Sequence, residues 1–168
     1  MRYEQLEPCG LTASEISSIA FDAARQLNFR PGDELDTVMD RLNGEIKYLS
    51  IVEGKNSSIA VEKGGKFTIW LLPSLFPLQK RMVIAHELGH FYLHSKCGEV
   101  AIEASYNSEG QSEMVEDEVR QFAYEFLMPA DELRQVAERF DRDSVRVAAH
   151  FMVPEPVARK RMMYVDCR

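Results

Sequence analysis

Cysteine is scarce: only Cys9, Cys97 and Cys167 occur in 168 residues. They form no CxxC pair, so neither a disulfide framework nor a cysteine zinc site is indicated, and free thiols in a reducing cytoplasm are expected. Long hydrophobic runs are missing as well. The longest uncharged apolar stretch, Phe67 to Gln79, contains Pro73 and Pro77 and is too short to span a membrane. The opening MRYEQLEPCG has no apolar segment of the secretory type. Basic residues are in the minority, 20 Lys and Arg against 27 Asp and Glu, for a net charge of -7. That balance argues against non-specific binding to nucleic acid or anionic membranes. What remains is ordinary globular composition, 45% hydrophobic and 28% charged. It suits a single domain over 1–168 with enough apolar surface for one core.

Periodicity sorts the chain into elements. Thr12 and Glu15 make a capping box, and Ile16, Ile19, Ala20, Ala23, Ala24 and Leu27 keep helical spacing, which predicts a helix over 12–28. Pro31-Gly32 breaks it. Asp33 is expected to open a second short helix that ends at Asn43-Gly44. Residues 45–72 change to a β pattern around Gly64-Gly65 and are expected to form three strands of one antiparallel sheet. Helices are expected from Leu78 to His94 and from Ser112 to Met128, with 95–111 between them as a loop. Short helices near 131–139, 143–151 and 155–164 complete an α+β chain.

The chemistry concentrates in Ala85-His86-Glu87-Leu88-Gly89-His90, an H-E-x-x-H run. On a helix the two histidines lie about 40° apart and about 6 Å along the axis, so both imidazoles reach one ion. Glu87 is rotated about 100° from His86, beside the ion and outside its ligand set, where it can take a proton from water. Met82, Val83, Ile84, Ala85, Leu88, Phe91 and Leu93 surround the helix on all sides. A helix apolar all round is buried, and buried histidines need partners that a metal supplies. His94 continues the stripe about 12 Å from His86, too far to share its ion, and is expected to orient a ligand.

A third ligand must come from elsewhere. On the 112–128 helix, Val115, Val119, Phe122, Ala123, Phe126 and Leu127 form an apolar arc. Glu116 falls inside that arc. Glu118 aligns with Glu125 on a polar flank, and Asp117 lies on the outer face. An acid facing a core calls for a cation, so Glu116 is the expected ligand, with Glu113 or Glu118 as fallbacks. One zinc per chain on His86, His90 and Glu116, with an open fourth position, follows.

The strings AHELGHFYLH at 85–94 and EDEVRQFAYEFLMP at 116–129 resemble the ImmA/IrrE family of bacterial metallo-endopeptidases. Counting back from Pro129 puts that family's metal-binding glutamate on Glu116, in agreement with the helical projection. Val119-Arg120 departs from the Ala-Asn often found there. The resemblance implies a small zincin-like α+β domain, with a three-stranded sheet packed on the HExxH helix and the Glu-bearing helix. It also implies a zinc endopeptidase of the HExxH…E kind that cleaves a helix-turn-helix repressor, often in a stress response or on a mobile element. The alternative is a non-catalytic interaction protein, a toxin or sensor component, that keeps the fold; the intact Glu87 favours the enzyme.

Several roles stay open at this level. An oxyanion donor is needed, and Tyr92, Tyr106, Tyr124, His94 and His150 are candidates. Substrate backbone is expected on an edge strand of the 45–72 sheet, with Phe67 and Trp70 either lining it or in the core. Asp143–His150 and Pro154–Met163 suggest a helix-turn-helix, but the net acidity and Pro154 and Pro156 argue against DNA readout. The 131–168 tail, with Arg159, Lys160 and Arg161, is instead expected to dock an acidic face of the substrate protein.

Overall fold

The computed structural model describes residues 2–50, 52, 54–107 and 112–166. Cys167, and the Gly110 end of the 95–111 segment, lie outside them. Helix α1 spans Ala13–Gln26 and α2 spans Asp36–Arg41; strands β1, β2 and β3 are Gly44–Tyr48, Ser57–Val61 and Phe67–Leu71. Helix α3 is Pro77–Gly89 and continues as a π-helical turn over His90–His94. Strand β4, Ile102–Ser105, precedes α4, Glu113–Leu127, and then α5, Ala130–Arg139, α6, Ser144–Phe151, and α7, Glu155–Asp166.

Local chemistry sets the ends. Thr12 Oγ1 accepts from the Glu15 amide while the Glu15 carboxylate accepts from the Thr12 amide at 2.7 Å, which closes the capping box. Asp33 caps no helix. Its carboxylate accepts the Arg30 amide at 2.8 Å and so closes the Pro31-Gly32 turn, and α2 begins only at Asp36. Pro77 occupies the first turn of α3, and the Gln79 side chain accepts the Phe76 amide at 2.9 Å.

The sheet corrects the three-stranded antiparallel expectation. It has four strands in the order β1-β3-β2-β4 and is mixed. β2 and β3 form the antiparallel hairpin around Gly64 and Gly65, whose φ values of 97° and 89° suit glycine. β4 takes the other edge of β2, so β1 has only the open edge of β3, where it runs parallel from Gly44↔Phe67 to Tyr48↔Leu71. β4 arises from the segment read as loop. Ile102 and Ala104 point into the core between exposed Glu103 and half-buried Ser105, an alternation only four residues long.

The helices form the second layer, with α4 packed between α1 and α3. Phe29 stacks on Phe126 at 4.7 Å, and Tyr92 on Phe122 at 5.4 Å, which ties the α1–α2 connection, the π turn and α4 into one apolar cluster. Among the described residues no helix is long and apolar enough to cross a membrane.

Candidate metal centre

The approach of α3 to α4 creates the site. Gly89 faces Val119 across the interface, so tightly that a β-carbon at 89 would lie 2.9 Å from the Val119 Cβ. One turn before Val119, Glu116 reaches back over α3. Its Oε2 lies 3.3 Å from His86 Nε2 and its Oε1 4.0 Å from His90 Nε2. Donor atoms of His86, His90 and Glu116 all lie within 4.8 Å of one another. Tetrahedral zinc with bonds of about 2.0–2.1 Å holds its ligands about 3.4 Å apart. One gap already matches, a second closes by about 0.6 Å, and no gap needs to close by more than about 1.4 Å, so this nitrogen and oxygen set fits a zinc-like ion with a fourth position left open.

The electrostatics suit cation binding. Burial, then the neighbouring His86 and His90's other neighbour His94, push the His90 imidazole well below its usual range, so it is the neutral ligand form. The Glu116 carboxyl is held below the usual carboxylate range by its contact with His86, against the opposing effect of burial. At His86 burial acts downward, but Glu116 and Glu87 outweigh it and the net shift is upward.

Glu87 forms the wall beside this group and is 3% exposed. Burial drives its carboxyl up to about 7, with the charge on His86 and a hydrogen bond from Ser58 acting the other way. The Ser58 hydroxyl donates to Glu87 Oε2 at 3.2 Å. Ser58 is the residue that sequence reasoning missed. Ser57 pairs with Ser105 and Ile59 with Ala104, so Ser58 is the extra residue of a β-bulge that turns its side chain to the site. Bulges depend on register, and nothing in the Ser57-Ser58 pair alone indicates one.

The open side is a cleft of about 370 Å³, lined by Met82, Val83, Ser105, Tyr106, Arg120 and Tyr124 together with the site residues. Of the oxyanion candidates, Tyr106 and Tyr124 line it. The Tyr106 hydroxyl donates to the Trp70 carbonyl at 2.6 Å. Tyr92 lies away from the cleft, stacked on Phe122, with its phenol pushed up by burial. His150 sits in the tail, 3.3 Å from Glu132.

Behind the site, His94 Nδ1 lies 3.0 Å from His90 Nδ1, and His94 Nε2 lies 2.9 Å from Glu118 Oε2. Glu118 therefore is not on a solvated flank. It is 8% exposed and also accepts the Cys9 amide at 3.0 Å, because the N-terminal segment covers that side of α4. The same flank carries Glu125, which pairs with Arg161 of α7. Arg161 is 2% exposed, so it cannot belong to a docking surface. Arg159 and Lys160 are exposed, with Arg159 3.6 Å from Glu155. Phe67 is core, and Trp70 carries the Lys55 ammonium 3.9 Å over its ring. The sheet edge that reaches the cleft is β4, through Ser105, and not a strand of 45–72.

The family model of the IrrE N-terminal-like domain, peptidase M78, matches residues 39–163. The chain belongs to that family. Its M78 region holds α3, the π turn, the sheet and α4, and so the entire His-His-Glu group and Glu87. M78 membership makes this a metallopeptidase-like domain, for which a protein is the expected kind of substrate. No curated protein matches the chain.

Proposed function

We propose that this M78 chain is a zinc-dependent endopeptidase of zincin-like architecture that acts on a regulatory protein in the cytoplasm. A helix-turn-helix repressor is the substrate its resemblance to the ImmA/IrrE family supports. The carrying observation is the convergence of His86, His90 and Glu116 within 4.8 Å, beside a buried acid that is not itself one of the three. A structural zinc site is closed by four protein ligands, whereas three leave a place for chemistry.

A bound zinc would supply Lewis acidity, polarising a scissile carbonyl and easing loss of a proton from water. Glu87 takes that proton and returns it to the departing amine, so one carboxyl serves as base and then as acid. Ser58 fixes the carboxylate through Oε2, leaving Oε1 for the water. Tyr124 is the donor assigned to the developing oxyanion, because the Tyr106 hydroxyl is engaged with Trp70. The substrate main chain enters along β4, which ends in the cleft wall.

The test compares zinc-loaded parent and Glu87→Gln proteins on two substrates: a proteome-derived peptide pool and intact helix-turn-helix repressors. New termini are read by mass spectrometry. The parent should generate them, and the variant should keep its zinc while slowing about 10²–10⁴-fold. A parent that creates no new termini, or a variant that cleaves at the parent rate, refutes the proposal.

A further inference from the structure

The chain His90–His94–Glu118 runs away from the cleft into the protein, and with His90 Nε2 given to a metal its two short contacts determine where each ring proton resides. His90 Nε2 faces Glu116, so as a metal-binding atom it carries no proton. The proton of neutral His90 then sits on Nδ1, whose neighbour at 3.0 Å is His94 Nδ1. Two protonated nitrogens cannot face each other in a hydrogen bond, so His94 Nδ1 is the acceptor. The proton of His94 is therefore on Nε2, aimed at Glu118 Oε2 at 2.9 Å. Glu118, an acceptor, ends the chain, and the same oxygen receives the Cys9 amide at 3.0 Å.

We propose that His94 and Glu118 are positioning residues that lock His90 in its Nδ1–H tautomer and ring orientation. Through the Cys9 amide, they also fasten the N-terminal segment to the metal centre. The inference rests on the metal-site reading above. The physical logic is that of a ligand histidine whose second nitrogen donates to a fixed acceptor, extended here by one more imidazole. The four-residue spacing is what permits it, because side chains at i and i+4 are neighbours on one helix face. His90 and His94 stand four residues apart within His90–His94, with ring centroids 5.1 Å apart and inclined at 46°. The chain is shielded from solvent: the His90 side chain is 1% exposed, the His94 side chain 2% and the Glu118 side chain 10%. Water is thereby kept from substituting for either acceptor.

Zinc itself is the probe. Affinity is measured by competition with a chromophoric chelator for the parent, Glu118→Gln, Glu118→Leu and His94→Phe proteins. Imidazole tautomers are read in parallel by long-range 1H–15N correlation. Glu118→Leu and His94→Phe should each lose about 10–100-fold in zinc affinity, the range seen when such outer partners are removed. Glu118→Gln, which retains an oxygen acceptor, should recover part of that loss. In the parent, His94 should appear as the Nε2–H tautomer and His90 as Nδ1–H, and Glu118→Leu should abolish the fixed His94 tautomer. A merely structural role would lower melting temperature without altering tautomers. Zinc affinity within twofold of the parent in all three variants, or His94 protonated on Nδ1, overturns the proposal. Failure of the parent itself to bind zinc overturns the metal-site reading and this inference with it, and differs from the former result because every protein then behaves alike.

Discussion

Gly89→Ala tests the closeness of α3 and α4, on which the whole site depends. In an ordinary helix the change is favourable by about 1 kcal/mol, because glycine is the poorer helix former. Here the added carbon would lie 2.9 Å from Val119 Cβ, 3.0 Å from its Cα and 3.2 Å from its Cγ1. Carbon atoms rest about 3.5–4.0 Å apart, so the helices must separate by about 0.5–1 Å. Two of the three obstacles are backbone or Cβ atoms, which no rotamer change can move aside. Overpacking of this kind costs about 1–3 kcal/mol. After the gain in propensity, the net loss is about 0–2 kcal/mol, a few degrees in Tm for a domain of this size. Metal binding should suffer more. His90 follows Gly89 directly and Glu116 is one turn before Val119, so the separation falls on the gap between two ligands. Workable ligand distances tolerate about 0.2 Å, and the loss should be at least about tenfold in zinc affinity. Calorimetry or chelator competition measures affinity, and thermal melting of the metal-free protein measures stability. Val119→Ala, which removes the Cγ atoms but leaves Cβ, should rescue Gly89→Ala only partially. A Gly89→Ala protein with a raised Tm and parental zinc affinity would show that the contact is soft and that the spacing argument is wrong.

Other substitutions separate the remaining roles. Ser58→Ala should retain zinc while kcat falls about tenfold or less, since it frees the Glu87 carboxylate from its only side-chain hydrogen bond among the described residues; an unchanged kcat on a peptide substrate refutes a positioning role. Tyr124→Phe should lower kcat by about 10²–10³-fold with zinc binding intact, and a rate within twofold of the parent would shift the oxyanion role to another group. Arg161→Met should destabilise the domain by about 3 kcal/mol in denaturant melts, because it leaves Glu125 in a buried pair without its cation; a loss under about 1 kcal/mol contradicts that. Charge reversal at Arg159 and Lys160 should leave stability within about 0.5 kcal/mol yet slow, in a salt-sensitive way, the association of an acidic protein substrate; equal rates on whole protein and short peptide would show these residues to be a solvated face.

The helices were legible because their apolar residues repeat every three or four positions over two or more turns. α1, α4 and the three tail helices begin and end within about two residues of the pattern. The hairpin was legible from Gly64-Gly65. Strand order was not, because partner choice is a contest between edges: β2 is paired on both sides, and that leaves β1 to run parallel on β3. β4 carried its alternation in Ile102, Glu103, Ala104 and Ser105, a signal too short to outweigh the glycine and asparagine flanking it. Glu116 could be picked out by helical projection because it faces α3, and α3 shows its chemistry in sequence. Glu118 could not. A projection assumes one buried face, whereas α4 is covered by α3 and α1 and, over Glu118 and Glu125, by the N-terminal segment and Arg161 of α7. Those partners are 109 and 36 residues away in sequence, and no local pattern announces them.

The chemistry of Glu87's partner bears on whether the domain acts or only binds. A buried carboxylate is costly to hold ionised, and folds usually offset that with a cation. Arg161 does so for Glu125, whereas Glu118 is satisfied by hydrogen bonds from His94 Nε2 and the Cys9 amide. Glu87 is nearly as buried as Arg161, yet its side-chain hydrogen bond comes from a neutral serine brought in by a bulge. A guanidinium there would stabilise the carboxylate and also remove its appetite for a proton, whereas a neutral hydroxyl orients it while burial still holds its carboxyl at about 7. A domain that held a metal only to present a surface would gain stability from an apolar residue at 87 and would need no bulge at 58. The bulge and the buried acid both fall beside the three ligands, where a proton acceptor is of use.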